Sequence, residues 1–131
     1  MAPLPFLGMQ VQAAQPQKLK GGTYMIQELA TKLNTIEGVD GVVIAARDGI
    51  VLAHELHDAD PDKEGAVAVF VGNAASQASE SLALGPFDWG TVSIGNDVVL
   101  VIEQPDYYVG LLLAERASPS LVASNAREML E

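Results

Sequence analysis

Asp48-Gly49, set between two apolar runs, constrains this chain more than any other feature. The stretch Gly38 to Leu56 reads GVDGVVIAARDGIVLAHEL. An Asp-Gly pair between strand-like runs marks a β-hairpin, because a type I′ turn needs φ > 0 at both central residues and these two residue types tolerate it. The first run, Val42 to Ala46, is apolar at every position. Such a strand has both faces covered and belongs in the middle of a sheet. The second run, Ile50 to Leu56, carries His54 and Glu55 and reads as half exposed. The chain therefore starts a sheet near its centre and steps outward.

A length of 131 residues suits one domain with one core and no covalent staple. Cys is absent, which excludes disulfides, thiolate metal sites and Cys nucleophiles, and suits a reducing, cytoplasmic setting. The net charge of −10 repels phosphate backbones and anionic lipid, so nucleic-acid binding is not expected. Solubility is the ordinary role of such a charge, and a basic patch on a partner would also suit it. No apolar run reaches the roughly 20 residues of a membrane helix, and Pro3 and Pro5 interrupt the first apolar residues, so neither membrane insertion nor a signal peptide is expected.

Residues 1–22 mix Pro, Gln, Ala and Gly without a period and are expected to form a mobile or loosely docked arm, with Phe6 and Leu7 available for packing. A domain of residues 23–131 follows. Met25, Leu29, Leu33 and Ile36 recur at helical spacing and predict a helix from about Tyr24 to Ile36, with Thr23 as its cap and Gly38 as its stop. After the hairpin, Asp60-Pro61 opens the longest helix, which Gly85-Pro86 ends. One stripe of that helix is Val67, Val71, Ala74, Ala78 and Leu82. A second holds small residues, Ala68, Gly72, Ala75, Ser76 and Ser79. Gly costs about 1 kcal/mol against Ala inside a helix, so Gly72 suggests close approach of another backbone.

Trp89 to Ile94 alternates and reads as an edge strand. Val98 to Ile102 and Tyr107 to Ala114 are apolar enough to be central strands, and Ser118-Pro119 opens a last helix. Numbered along the chain, the first, fourth and fifth strands read as buried and the second and third as edges. With short turns, this gives the order 2-1-5-4-3. The predicted fold class is α+β: a three-layer α/β/α sandwich, its five-stranded antiparallel sheet carrying the long helix on one face and the other two helices on the opposite face.

Gly41-Val42-Val43-Ile44 followed by Arg47-Asp48-Gly49-Ile50-Val51-Leu52-Ala53 resembles the signature hairpin of the roadblock / dynein light-chain domain. The order of elements matches from about Tyr24 to Glu131, and Gly72-Asn73-Ala74-Ala75 is similar to bacterial members that regulate Ras-like GTPases. The arm has no counterpart in the family. The resemblance implies a homodimer in which third strands pair edge to edge and long helices lie side by side. Ala68, Gly72, Ser76, Trp89, Thr91 and Ser93 would then form the interface. Packing of Trp89 inside its own subunit is the other reading. The resemblance also implies that the paired helices form a platform for a small Ras-like GTPase, with Glu64, Asn73, Gln77 and Glu80 as candidate contacts.

Motifs for chemistry are sparse. There is no P-loop and no Gly-x-Ser-x-Gly elbow, so no catalytic residue and no cofactor is expected. His54 and His57 stand three apart beside Glu55, Asp58, Asp60 and Asp62, where a solvated acidic loop is the simpler account than a metal site. Arg47 is a candidate arginine finger, against turn solvation or an ion pair. The preferred expectation is a non-catalytic regulator or scaffold for a Ras-like GTPase. The alternative is a small-molecule sensor of similar sandwich fold, which requires a sizeable apolar cavity with convergent polar groups.

Overall fold

The computed structural model describes residues 23–131, so the expected arm lies outside the described residues. The elements run α1 (Thr23–Leu33), β1 (Val39–Ala46), β2 (Val51–Glu55), α2 (Pro61–Ser81), β3 (Trp89–Ile94), β4 (Asp97–Glu103), β5 (Tyr107–Leu113) and α3 (Pro119–Leu130). Each expected element is present. Thr23 lies within α1 rather than capping it, and the helix stops at Leu33, a turn short of Ile36.

The strands form one antiparallel sheet in the order β2-β1-β5-β4-β3, as the burial reading of the sequence requires. Its central strands divide their side chains between two cores. Val42, Ile44, Leu100, Ile102, Val109 and Leu111 face α1 and α3, where they meet Ile26, Leu33 and Val122. Val43, Ala45, Val99, Val101 and Tyr108 face α2, where they meet Ala68 and Val69. Alternate residues of a strand point to opposite faces, so a run that is apolar throughout supplies both layers at once.

The hairpin forms where Asp48-Gly49 marks it, with a different turn. Gly49 has φ 98, but Asp48 is not in the left-handed region, which rules out type I′. Gly49 N donates to Ala46 O at 2.8 Å, and Ala46 N donates to Ile50 O at 2.8 Å. These bonds close a three-residue loop of a type I turn followed by a glycine bulge. The Asp48 carboxylate accepts from Ile50 N at 3.1 Å and so holds the turn from its own side chain.

Capping signals were legible. Asp60 is extended (φ −82, ψ 117), and its Oδ1 accepts from Asp62 N at 3.1 Å ahead of Pro61. Ser118 Oγ accepts from Leu121 N at 3.3 Å ahead of Pro119.

The orientation of α2 corrects the sequence reading. Its buried residues are Gly65, Ala68, Val69 and Gly72, so the small-residue stripe faces its own sheet. A Cβ on Gly65 would lie 2.8 Å from Val51 Cγ2, and one on Gly72 would lie 2.5 Å from Tyr108 Cδ1. On β5, a Cβ at Gly110 would come within 3.2 Å of Ala68 Cβ. Small residues on the helix and Gly110 on the strand let α2 settle close to the sheet, opposite a Val and a Tyr that fill the space. The close approach inferred from Gly72 is real, but the partner is an aromatic ring of the same subunit. Ala68 and Gly72, expected at a dimer interface, are thus buried against the sheet of their own subunit.

Candidate functional site

Tyr108 organises the end of the α2 layer. Its ring lies under Gly72 with no exposure to solvent, and a buried phenol needs a partner for its hydroxyl. That hydroxyl donates to Asn73 Oδ1 at 2.8 Å and accepts from Arg47 Nη1 at 3.0 Å. Arg47 also stands over the ring, 4.8 Å from its centroid. Three further bonds fix the guanidinium: Nη2 to Glu103 Oε2 at 2.7 Å, Nη2 to Gln104 O at 2.8 Å, and Nε to Pro105 O at 3.0 Å. The other oxygen of Glu103 accepts from Ser76 Oγ at 2.9 Å. The β1–β2 turn, the β4–β5 turn and α2 are thus tied into one network. Its bond to the Glu103 carboxylate holds the Arg47 guanidinium above its ordinary pKa.

This network contains three of the sequence candidates. Arg47 is engaged on both terminal nitrogens and Nε, so it is a brace for the two turns rather than a free finger. Asn73 spends its carbonyl on Tyr108, and Ser76 spends its hydroxyl on Glu103, so both secure α2 to its own sheet. Tyr108 and Glu103 were not singled out from the sequence. The available signal was a Tyr inside an otherwise apolar central strand.

The remaining α2 candidates divide by helical position. Asn73, Gln77 and Glu80 follow i, i+4, i+7 spacing and share one stripe, with Gln77 and Glu80 exposed. Glu64 sits apart on another flank and is half-buried. Burial, then the nearby Asp97, raises its carboxyl above the usual range. The outward face also bears Ala66, Phe70, Ala74 and Ala78, all exposed, and Phe70 is 74 % exposed in the middle of the helix. Ala74 and Ala78, read from the sequence as part of a long apolar stripe, belong to this uncovered face.

The two edges of the sheet are treated differently. At β2, Gln27 Nε2 from α1 donates to His54 O at 3.2 Å and to Glu55 Oε2 at 3.1 Å, and Thr31 Oγ1 donates to the same carboxylate oxygen at 2.9 Å. Charge and side-chain bonds blunt that edge. The other edge strand, β3, reads WGTVSI and carries no charge. Thr91, Ser93 and Ile94 are exposed along it. Trp89, expected to point outward, packs half-buried against the α1/α3 core, while Val92 packs on the α2 side.

The Roadblock/LC7 domain model matches residues 25–114, most of the described fold. The chain belongs to the Roadblock/LC7 family. No curated protein sequence is significantly similar to it. Among solved structures, the Roadblock/LC7 domain from Streptomyces avermitilis is 16 % identical with a TM-score of 0.69, over 79 % of this chain and 90 % of that one. Myxococcus xanthus MglB is 11 % identical with a TM-score of 0.70, over 85 % and 88 %. The gliding protein MglB from Thermus thermophilus is 20 % identical with a TM-score of 0.65, over 86 % and 90 %. At these identities the likeness is one of fold.

In this roadblock domain His54 and His57 are both exposed, and among the described residues no group of three or more His, Asp or Glu is placed to hold a metal ion. No described helix is long and apolar enough to cross a membrane. Among the described residues, several concavities are open surface grooves. Two of about 490 Å³ flank Arg116, and a more apolar one of about 320 Å³ lies beside α1.

Proposed function

We propose that this roadblock domain is a homodimeric, non-catalytic regulator or scaffold that docks a small Ras-like GTPase and modulates its nucleotide cycle. The observation that carries the reading is the uncharged β3 edge in the same subunit as an α2 face exposing Phe70. An unpaired strand edge is an aggregation hazard unless it is covered, and a two-fold dimer covers it with a copy of itself. The proposed interface runs through Thr91, Ser93 and Ile94 of β3 and through Phe70, Ala74 and Ala78 of α2. It keeps Thr91 and Ser93 from the grouping expected from the sequence and moves the helix contacts to the outward face, since Ala68, Gly72 and Ser76 face their own sheet and Trp89 packs half-buried against its own core.

Family membership and the likeness of Gly72-Asn73-Ala74-Ala75 to bacterial GTPase regulators support the partner class. Gln77 and Glu80 are the proposed partner contacts, since their side chains are exposed. With Arg47 occupied inside the subunit, the domain would act by docking and repositioning the GTPase's own groups rather than by inserting charge.

Two measurements test the reading. Phe70→Glu with Ile94→Lys is expected to halve the mass measured by light scattering while leaving circular dichroism unchanged. A Ras-like GTPase from the same genome, loaded with GDP or with a GTP analogue, is expected to be retained by the immobilised domain in one of those states and to hydrolyse GTP at an altered rate. Retention of no such GTPase in either state would sink the partner assignment.

A further inference from the structure

The β3–β4 hairpin fixes which backbone groups of the sheet edge are free. Ile94 pairs with Asp97 across Gly95-Asn96. Gly95 has φ 63 and Asn96 is not in the left-handed region, the pattern of a two-residue type II′ turn. The residues flanking such a turn exchange both backbone bonds, and the exchange recurs at every second residue of an antiparallel ladder. Ile94, Val92 and Gly90 therefore spend their N–H and C=O groups on β4. The bond from Glu103 N to Asp88 O at 3.3 Å keeps the same phase at the far end. Trp89, Thr91 and Ser93 direct their backbone groups outward. Their side chains share the α1/α3 face with the Trp89 indole, while Val92 and Ile94 share the α2 face.

We propose that β3 pairs with β3 of a second copy in one register, with the two-fold axis at Thr91. This rests on the homodimer reading above and adds the alignment of the two strands. Antiparallel pairing about Thr91 sets it opposite the partner's Thr91 and sets Trp89 opposite the partner's Ser93. All three outward residues of each strand then have a hydrogen-bonding counterpart. An axis at Gly90 or at Val92 leaves one of the three unpaired on each strand, and a shift by one residue sets outward groups against inward ones. Side-chain size selects the same alignment, because β3 is self-complementary about Thr91. Trp89 stands beside the partner's Ser93 on one face. On the other face Val92 stands beside the partner's Gly90, where an added Cβ would already lie 3.4 Å from the Phe87 ring. Large beside small at each position lets both faces pack. At the axis the two Thr91 hydroxyls are close enough to hydrogen-bond, and a strand without charge brings no like charges together.

The unaltered chain tests this. In a mixture of isotope-labelled and unlabelled protein, an isotope-filtered NOE experiment reads only contacts between copies. In the proposed register Gly90 and the partner's Val92 form a non-hydrogen-bonded pair, with Cα atoms about 4.5 Å apart, so a strong Hα–Hα NOE is expected between these two residues. A Val92–Val92 or Gly90–Gly90 NOE, or no NOE along β3, in a protein of dimeric mass would overturn the register and leave the dimer standing. A monomeric mass would overturn both. The chain has no native Cys, so single substitutions give a second readout. Thr91→Cys is expected to form a disulfide-linked dimer at least about tenfold faster than Ser93→Cys under the same mild oxidant. The paired Cα atoms lie about 5.5 Å apart at position 91 and about 14 Å apart at position 93. Equal rates would also overturn the register. Neither measurement involves a GTPase, so the outcome is separate from the partner assignment.

Discussion

Gly72→Ala tests how α2 is seated. On an exposed helix this change would stabilise by about 1 kcal/mol, because Ala is the better helix former. Here the new methyl would sit 2.5 Å from Cδ1 of Tyr108 and closer still to Cε1. Carbon atoms rest at about 3.5 Å or more, so the ring or the helix must yield by about 1 Å. The ring cannot move freely. It is fully buried, and its hydroxyl is held at 2.8 Å by Asn73 and at 3.0 Å by Arg47. Overpacking of this kind costs about 1–3 kcal/mol, and stretching the two hydrogen bonds adds about 1 kcal/mol. Less the helix gain, the variant should lose about 2 kcal/mol, or about 8 °C in Tm for a domain of this size. Urea unfolding at matched protein concentration measures the loss, with an unchanged m value as the sign that the same state unfolds. In a Tyr108→Leu background the clash is relieved, and Ala at 72 should be neutral or favourable, giving a coupling of about 1–3 kcal/mol. A Gly72→Ala variant as stable as the parent would refute the seating of α2 on Tyr108.

Gly49→Ala offers the contrasting case. Nothing lies within 4 Å of the added methyl, so the cost is the left-handed backbone alone, about 1–2 kcal/mol by urea unfolding. Asp60→Ala removes the side chain that accepts from Asp62 N and should cost about 1 kcal/mol, whereas Asp60→Asn should retain most of the cap. Glu64→Gln should stabilise the domain at neutral pH. A carboxyl whose pKa is raised on folding opposes the folded state once it ionises, so the cost appears as pH rises from its unfolded value through the raised one. The advantage of Gln should therefore vanish below about pH 4, and a constant advantage across that range would contradict the half-buried position of Glu64.

Much of the fold was legible because its signals are local. Apolar runs at Val42 to Ala46 and Val98 to Ile102 marked strands with two covered faces, and the two buried layers divide along their alternation. Asp60-Pro61 and Ser118-Pro119 opened helices where the structure has them. The hairpin was marked by Asp48-Gly49, but its loop is one residue longer than expected. A glycine in the left-handed region serves a type I′ turn and a bulged type I turn equally well, and pairing of the flanking strands selects between them.

The candidate site was less legible, because its parts are remote in the chain. Arg47, Asn73, Glu103 and Tyr108 come from four separate elements or turns, and no spacing in the sequence announces their hydrogen bonds. Element order, strand order and the presence of a close contact at Gly72 were determined by the sequence on its own, through periodicity, turn residues and helix caps. Which face of α2 meets the sheet was decided only in three dimensions. A stripe of larger apolar residues offers more area to bury, but the space over β5 already contains the Tyr108 ring. Shape therefore overrides area there: the small stripe goes inward and Phe70 is left facing solvent.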